Sequence, residues 1–116
     1  MKLRAAIHLD LAKNSRFSTA LGNLENFLAQ IPAAEADLRV VANSTAVGFF
    51  RKEKASDYRG RVDRLAESGV RFLICRNSLE RLGIEKSELI EAAEIVPSGI
   101  VEVIRLQNDG FAYVKP

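Results

Sequence analysis

Short apolar runs alternate with amphipathic ones along the whole chain. From Leu3 to Leu9 the pattern has a period of two, with Ala5, Ile7 and Leu9 on one face and Ala6 and His8 on the other. This predicts a first strand, and its small residues suit a central place in a sheet. Phe17, Leu21, Leu24, Phe27, Leu28 and Ile31 then recur at helical spacing, which predicts a helix starting near Ser15 or Ser18 and ended by Pro32. Asn23, Glu25 and Asn26 lie off that stripe and are expected in solvent.

Residues 37–42 read as a second strand, and Asn43-Ser44-Thr45 as a capping turn into the short apolar element 46–50. Phe49 and Phe50 together exceed what so short an element needs, so one ring is expected to face a neighbouring subunit. The charged run Arg51-Lys52-Glu53-Lys54 reads as a solvated face, with a basic lip over the site as the alternative. Asp57 is expected to cap a helix that buries Tyr58, Val62, Leu65 and Ala66 and stops at Gly69. The apolar run 70–75 is a third strand; Asn77 or Ser78 would cap a short helix through Leu82, ended by Gly83. A further helix is expected over 87–93, then a fourth strand over 94–96 and the turn Pro97-Ser98-Gly99. Residues 100–107 fit a strand by their β-branched content and a helix by the spacing of Ile100, Val103, Ile104 and Gln107. Asn108-Asp109-Gly110 is a tight turn before a last strand over 111–114.

Strands that alternate with helices, with no tight hairpin between the first three, predict an α/β fold with a mostly parallel sheet of about five strands covered on both faces. In such a sheet the polar groups that follow the strands collect along one edge, where ligands bind. Here these are Asp10, Asn43-Ser44, Cys75-Arg76 and Pro97-Ser98.

Composition narrows the chemistry. At 116 residues the chain is a single domain, able to bury about two thirds of its unfolded surface. One cysteine and one histidine exclude an internal disulfide and a four-ligand structural zinc site. With 17 basic residues scattered among 15 acidic ones, the formal charge of +2 gives no argument for direct nucleic-acid binding. Nor is there a membrane-length apolar run or a leader pattern, so a cytoplasmic protein is expected.

Cys75 sits on the joint between the third strand and the helix after it. A sulfur there faces unpaired backbone N–H groups and the positive end of the helix dipole, both of which favour thiolate. A guanidinium folded back from Arg76 would add to this. The plainer reading makes Cys75 a small buried hydrophobe closing the strand. His8 is the other residue with obvious chemistry, since histidine titrates near neutrality. A lone strand histidine with no titrating partner beside it in sequence is more often hydrogen-bonded packing.

The chain resembles the DsrE/DsrF-like family of small α/β proteins, in its short stand-alone branch. The resemblance spans nearly the whole chain. It rests on Gly69-Val70-Arg71-Phe72-Leu73-Ile74-Cys75 followed by Asn77-Ser78-Leu79 and Gly83-Ile84, on Val96-Pro97-Ser98-Gly99-Ile100, and on the closing segment 106–116. It implies a three-layer α/β/α fold, a helix over 100–107, and assembly into a homotrimer or homohexamer. In members that handle sulfur, the cysteine matching Cys75 carries a persulfide and passes its outer sulfur to a partner protein, in sulfur oxidation or in thiolation of the tRNA wobble uridine.

The leading expectation is therefore a sulfur-relay protein, with sulfurtransferase activity conceivable. Cys75 accepts and passes on sulfane sulfur, and Arg76, Asn77 and Ser78 assist. Its partners would be other copies of itself and sulfur donor and acceptor proteins, with no cofactor. The alternative is a non-enzymatic oligomeric module that binds a small anion or a partner protein at the edge formed by Asn43, Ser44, Cys75 and Ser98, with Cys75 structural. A weaker third reading pairs His8 with Cys75 in a hydrolase or redox enzyme. The apolar surplus of Phe49, Phe50, Phe111 and Tyr113 points to self-assembly.

Overall fold

A computed structural model describes residues 2–53 and 57–116. Five parallel strands, β1 (Leu3–Leu9), β2 (Ala36–Ala42), β3 (Arg71–Cys75), β4 (Ala93–Val96) and β5 (Ala112–Val114), form one sheet in the order β4-β3-β2-β1-β5. The helices are α1 (Asn14–Gln30), α2 (Arg59–Glu67), α3 (Arg76–Leu82) and α4 (Gly99–Asn108). A 3-10 segment, Ser44–Phe50, follows β2. Among the described residues, no helix is long and apolar enough to cross a membrane.

The two faces of the sheet are covered unequally. On one, α1, α2, α3 and the 3-10 segment bury Phe17, Leu21, Leu24, Phe50, Val62, Leu65 and Leu79 against Ile7, Leu9, Val40, Phe72 and Ile74. Each such side chain contributes about 1.5–3 kcal/mol of transfer free energy. On the other, α4 alone lays Val103 and Leu106 over Ala6, Val41, Leu73 and Phe111. The alternation expected in β1 is thus realised: Ile7 and Leu9 enter the large core and Ala6 the small one.

That asymmetry positions the site. The helices after β1 and β3 pack on the large-core face, whereas the helix after β4 crosses to the opposite face. Between β3 and β4 the chain therefore parts in two directions, and parallel α/β sheets open a crevice at such a point. Cys75 pairs in register with Val96 at this parting.

Several expectations are corrected. Phe49 and Phe50 do not face outward: Phe17 stacks on Phe49 at 4.4 Å and meets Phe50 edge-on at 5.5 Å, and Tyr58 and Phe72 complete the aromatic cluster. Phe111 is buried too, so of the four apolar residues in the surplus only Tyr113 is exposed. Tyr58 rather than Asp57 occupies the N-cap of α2, without a side-chain cap. In place of a helix over 87–93 there is one 3-10 turn, Lys86–Glu88, closed by a capping box between Glu85 and Glu88. Leu89 and Ile90 leave it extended to reach the core, and Ile90 N–H donates to the Phe50 carbonyl at 2.9 Å. Residues 100–107 are helical, with Ser98 as N-cap accepting from Val101 N–H. Gly69 and Gly83 follow α2 and α3 at φ of +101° and +67°, as expected. In the charged run, Arg51 bonds Glu53 and Glu88 at 3.3 Å, while Lys54 lies outside the described residues.

Candidate functional site

Cys75 occupies the N-cap of α3, so the carboxyl end of β3 delivers its sulfur to the first turn of a helix. Asn77 and Ser78 follow within that turn, and their backbone N–H groups, having no intrahelical acceptor, act to lower the pKa of the thiol. A third N–H arrives from Gly99, in the first turn of α4 on the other side of the crevice. The Ser78 hydroxyl is the fourth donor. Its oxygen accepts the Ser44 N–H at 2.7 Å, which leaves its proton free for the sulfur.

The arrangement sets the charge state of the thiol. Burial pushes its pKa up and is the largest single influence, since Cys75 is only 4% exposed. The Ser78 hydroxyl and the N–H groups of Gly99, Ser78 and Asn77 together outweigh it, so the thiol lies below its ordinary range. This is how a sulfur sealed on most sides retains nucleophilic character.

Close packing at α4 is a condition of the design. A Cβ added to Gly99 would lie 2.9 Å from the Cβ of Asn43 and 3.2 Å from that of Cys75. Only glycine lets the first turn of α4 come near enough for its N–H to serve the sulfur.

A second polar group stands beside the first. His8, 7% exposed at the carboxyl end of β1, donates from Nε2 to Asn43 Oδ1 at 2.9 Å, and its Nδ1 accepts the Tyr113 hydroxyl at 2.7 Å. Asn43 N–H donates to the Leu9 carbonyl at 3.0 Å and Thr45 Oγ1 accepts Ala12 N–H at 2.9 Å. Ser44, held between them at φ +53°, is the described non-glycine residue with positive φ, a conformation costing on the order of 1–3 kcal/mol. Nearby, Asp10 pairs with Lys115 at 2.6 Å and Arg16 at 3.6 Å. The Lys115 ammonium holds its carboxyl below the usual range.

The expected site residues thus divide. Cys75, Asn77, Ser78, Ser44 and Asn43 converge, with Asn77 acting through its backbone. Ser98 is brought to the crevice, but its side chain caps α4. Arg76 is exposed, and its guanidinium is not among the groups acting on the sulfur. Both ring nitrogens of His8 are engaged by Tyr113 and Asn43, so it does not bond Cys75. Sequence reasoning missed Gly99 as a donor and Tyr113 as a partner of His8. For Tyr113 the available signal was strand parity, since it lies opposite Ala6 and on the same face as His8.

The model of the DsrE/DsrF-like family matches residues 5–116, nearly the full length. The chain belongs to the DsrE/DsrF-like family. A solved structure described as a protein of unknown function, MTH1491 from Methanobacterium thermoautotrophicum, is 32% identical to it. The match covers 99% of this chain and 100% of that one, with a TM-score of 0.91. No curated protein matches. Membership in the DsrE/DsrF-like family accounts for the three layers and for the helix over 100–107 that β-branched content left open. MTH1491 shares the fold.

Proposed function

We propose that this DsrE/DsrF-like protein is a sulfur relay in which Cys75 takes up sulfane sulfur as a persulfide and passes it on. The observation that carries the reading is the placement of Cys75 at the N-cap of α3, packed against Gly99 of α4, where N–H groups and the Ser78 hydroxyl hold its thiol below the ordinary range. A structural cysteine needs none of them. In uptake, the thiolate attacks the outer sulfur of a donor persulfide or polysulfide. The donor's S–S bond breaks, and its electron pair leaves on the departing thiolate. In delivery an acceptor thiolate attacks the same outer atom, and the pair returns to Sγ. The donors then stabilise that sulfur as a leaving group, and no net oxidation occurs.

Incubation with inorganic polysulfide should add one sulfur by intact-mass spectrometry, removable by reductant and absent in Cys75→Ser. Equal labelling of the two proteins would reject the relay. The opposing reading, an oligomeric module with a structural Cys75, draws on the 4% exposure of that residue. Alkylation across pH separates them: a midpoint below that of an ordinary thiol favours the relay, and an inert sulfur the module.

Self-assembly belongs to the same proposal, on a different surface from the one the sequence suggested. Ile100, Val101 and Ile104, 53%, 44% and 51% exposed on the outer side of α4, form the apolar stripe that a second copy would cover. Sedimentation of the wild type against Ile104→Lys tests it.

A further inference from the structure

A persulfide moves the charge. Once Sγ has bonded a second sulfur, the negative charge resides on the outer atom, about 2 Å further out. The four donors around Sγ serve the thiolate and the leaving group, and the outer atom needs another partner.

We propose that Asn43, held by His8 and Tyr113, supplies that partner: its side-chain NH2 donates to the outer sulfur of a Cys75 persulfide, and the two rings are positioning residues for it. This rests on the persulfide reading above and goes beyond it. The geometry follows from the sheet order, in which β2 lies between β1 and β3. Asn43 follows β2, and its amide gives its oxygen to His8 of β1. Oxygen and nitrogen of an amide diverge from one carbon, so the NH2 turns away from β1. On that side stands Cys75: both Cβ atoms flank the vacant Cβ position of Gly99, at 2.9 and 3.2 Å. The NH2 makes no hydrogen bond to a described residue, whereas the oxygen is committed.

The amide orientation and the His8 tautomer go together, with Oδ1 of Asn43 on Nε2. With its proton on Nε2, His8 presents a donor to Asn43, and a flipped amide would set NH2 against N–H. In that tautomer Nδ1 accepts from the Tyr113 hydroxyl, so both ring nitrogens are engaged. The chain Tyr113, His8, Asn43 thus reads as a device for aiming one donor. A buried histidine with both nitrogens bonded is explained by packing alone, but packing does not require that the last member end in an unused NH2 on a residue packed against the same glycine as Cys75.

The test separates the two sulfur atoms. Asn43 is not among the groups acting on the free thiol. Wild type, Asn43→Leu, His8→Leu, His8→Gln and Tyr113→Phe are loaded with inorganic polysulfide, and the near-ultraviolet band of the persulfide anion is titrated. The unloaded thiol is alkylated across the same pH range. Asn43→Leu and His8→Leu should raise the persulfide midpoint by about one pH unit, a tenfold loss of anion stability, with unchanged thiol profiles. Tyr113→Phe should shift it the same way by less. His8→Gln, whose amide nitrogen reaches nearly the place of Nε2, should restore most of the wild-type value. A midpoint unmoved in Asn43→Leu overturns the assignment and leaves the relay standing. Thiol and persulfide profiles that shift together overturn it as well, because the residues then merely support the fold. If His8→Leu does not fold, Asn43→Leu and the half-exposed Tyr113→Phe decide alone. Wild type that takes up no sulfur sinks the relay and this assignment with it.

Discussion

The two ends of the sheet use polar residues in opposite ways. On the face under α4, the amino end carries Asp37, Arg39, Arg71 and Glu94, paired as Arg39 with Asp37 at 3.0 Å and Arg71 with Glu94 at 2.9 Å. The guanidinium groups of Arg4 and Arg39 lie 5.2 and 4.8 Å from the centre of the Phe111 ring. Asp37, Arg39, Arg71 and Glu94 are thus each paired with a neighbour. At the carboxyl end of the same strands stand His8, Asn43 and Cys75, with the Asn43 oxygen on His8 and the Cys75 thiol held below its ordinary range by the Ser78 hydroxyl and nearby N–H groups. Strand parity places both sets on one face. What distinguishes them is that the segments after β3 and β4 part to opposite faces of the sheet at the carboxyl end. Polar residues at the amino end pair with one another in register, whereas those at the carboxyl end gather around a cysteine where the chain parts.

Ser78→Ala should disturb this contrast most. It removes the side-chain donor to the sulfur and leaves the Ser44 N–H without its acceptor in a backbone already at positive φ. Loss of a buried partner costs about 1–3 kcal/mol, read as a lower denaturant midpoint at unchanged slope. The thiol midpoint should rise with it. The sign also fixes a pH dependence. The folded thiol ionises below the unfolded one, so its contribution is fully present above the unfolded pKa and is lost as pH falls through the folded value. The stability of Ser78→Ala should therefore rise less between neutral and mildly alkaline pH than that of wild type. Equal slopes would mean that the hydroxyl does not act on the sulfur.

How much of this was legible in the chain depends on what each feature rests on. Periodicity found the strands and the long helix α1, because their apolar faces are long enough to show a period, and it placed Cys75 on the joint. It failed where tertiary contact overrides local pattern. Leu89 and Ile90 look helical behind Ser87, yet they extend to fill the core beside Phe50. Phe49 and Phe50 looked like a surplus because their partners, Phe17, Tyr58 and Phe72, come from three other elements. At the site, the cysteine and the serine after it were readable from their place at a helix start. Gly99 and Tyr113 were not, since each acts across the crevice or the sheet from an element distant in sequence, and only the crossing of α4 brings Gly99 to the sulfur.

Gly99→Ala should have a smaller, more local effect. The added Cβ must displace Asn43 or Cys75, or push α4 outward, and in each case the Gly99 N–H leaves the sulfur. One hydrogen bond contributes about 0.5–1.5 kcal/mol net, so the thiolate fraction below the midpoint should fall roughly two- to tenfold at constant pH, read as slower alkylation. Because the Ser78 donors remain, the wild-type rate should return at high pH. An alkylation profile identical to wild type would mean that α4 plays no part in ionising the thiol.

The smallest effect belongs to the amino end. Arg71→Met removes one arm of the ladder, but Arg71 and Glu94 are each nearly half exposed, at 47% and 45%, and pairs of this kind are screened to about 0.2–1 kcal/mol. The Arg71 guanidinium holds the Glu94 carboxyl below its usual range. Its contribution is thus present above the ordinary carboxylate pKa and disappears as pH falls through the lowered folded value. Wild type and Arg71→Met should differ slightly near neutrality and converge in acid, while sulfur uptake at Cys75 stays the same in both. A variant at position 71 that shifted the alkylation midpoint would show that the two ends communicate through β3, and the paired residues of the amino end could no longer be treated apart from Cys75.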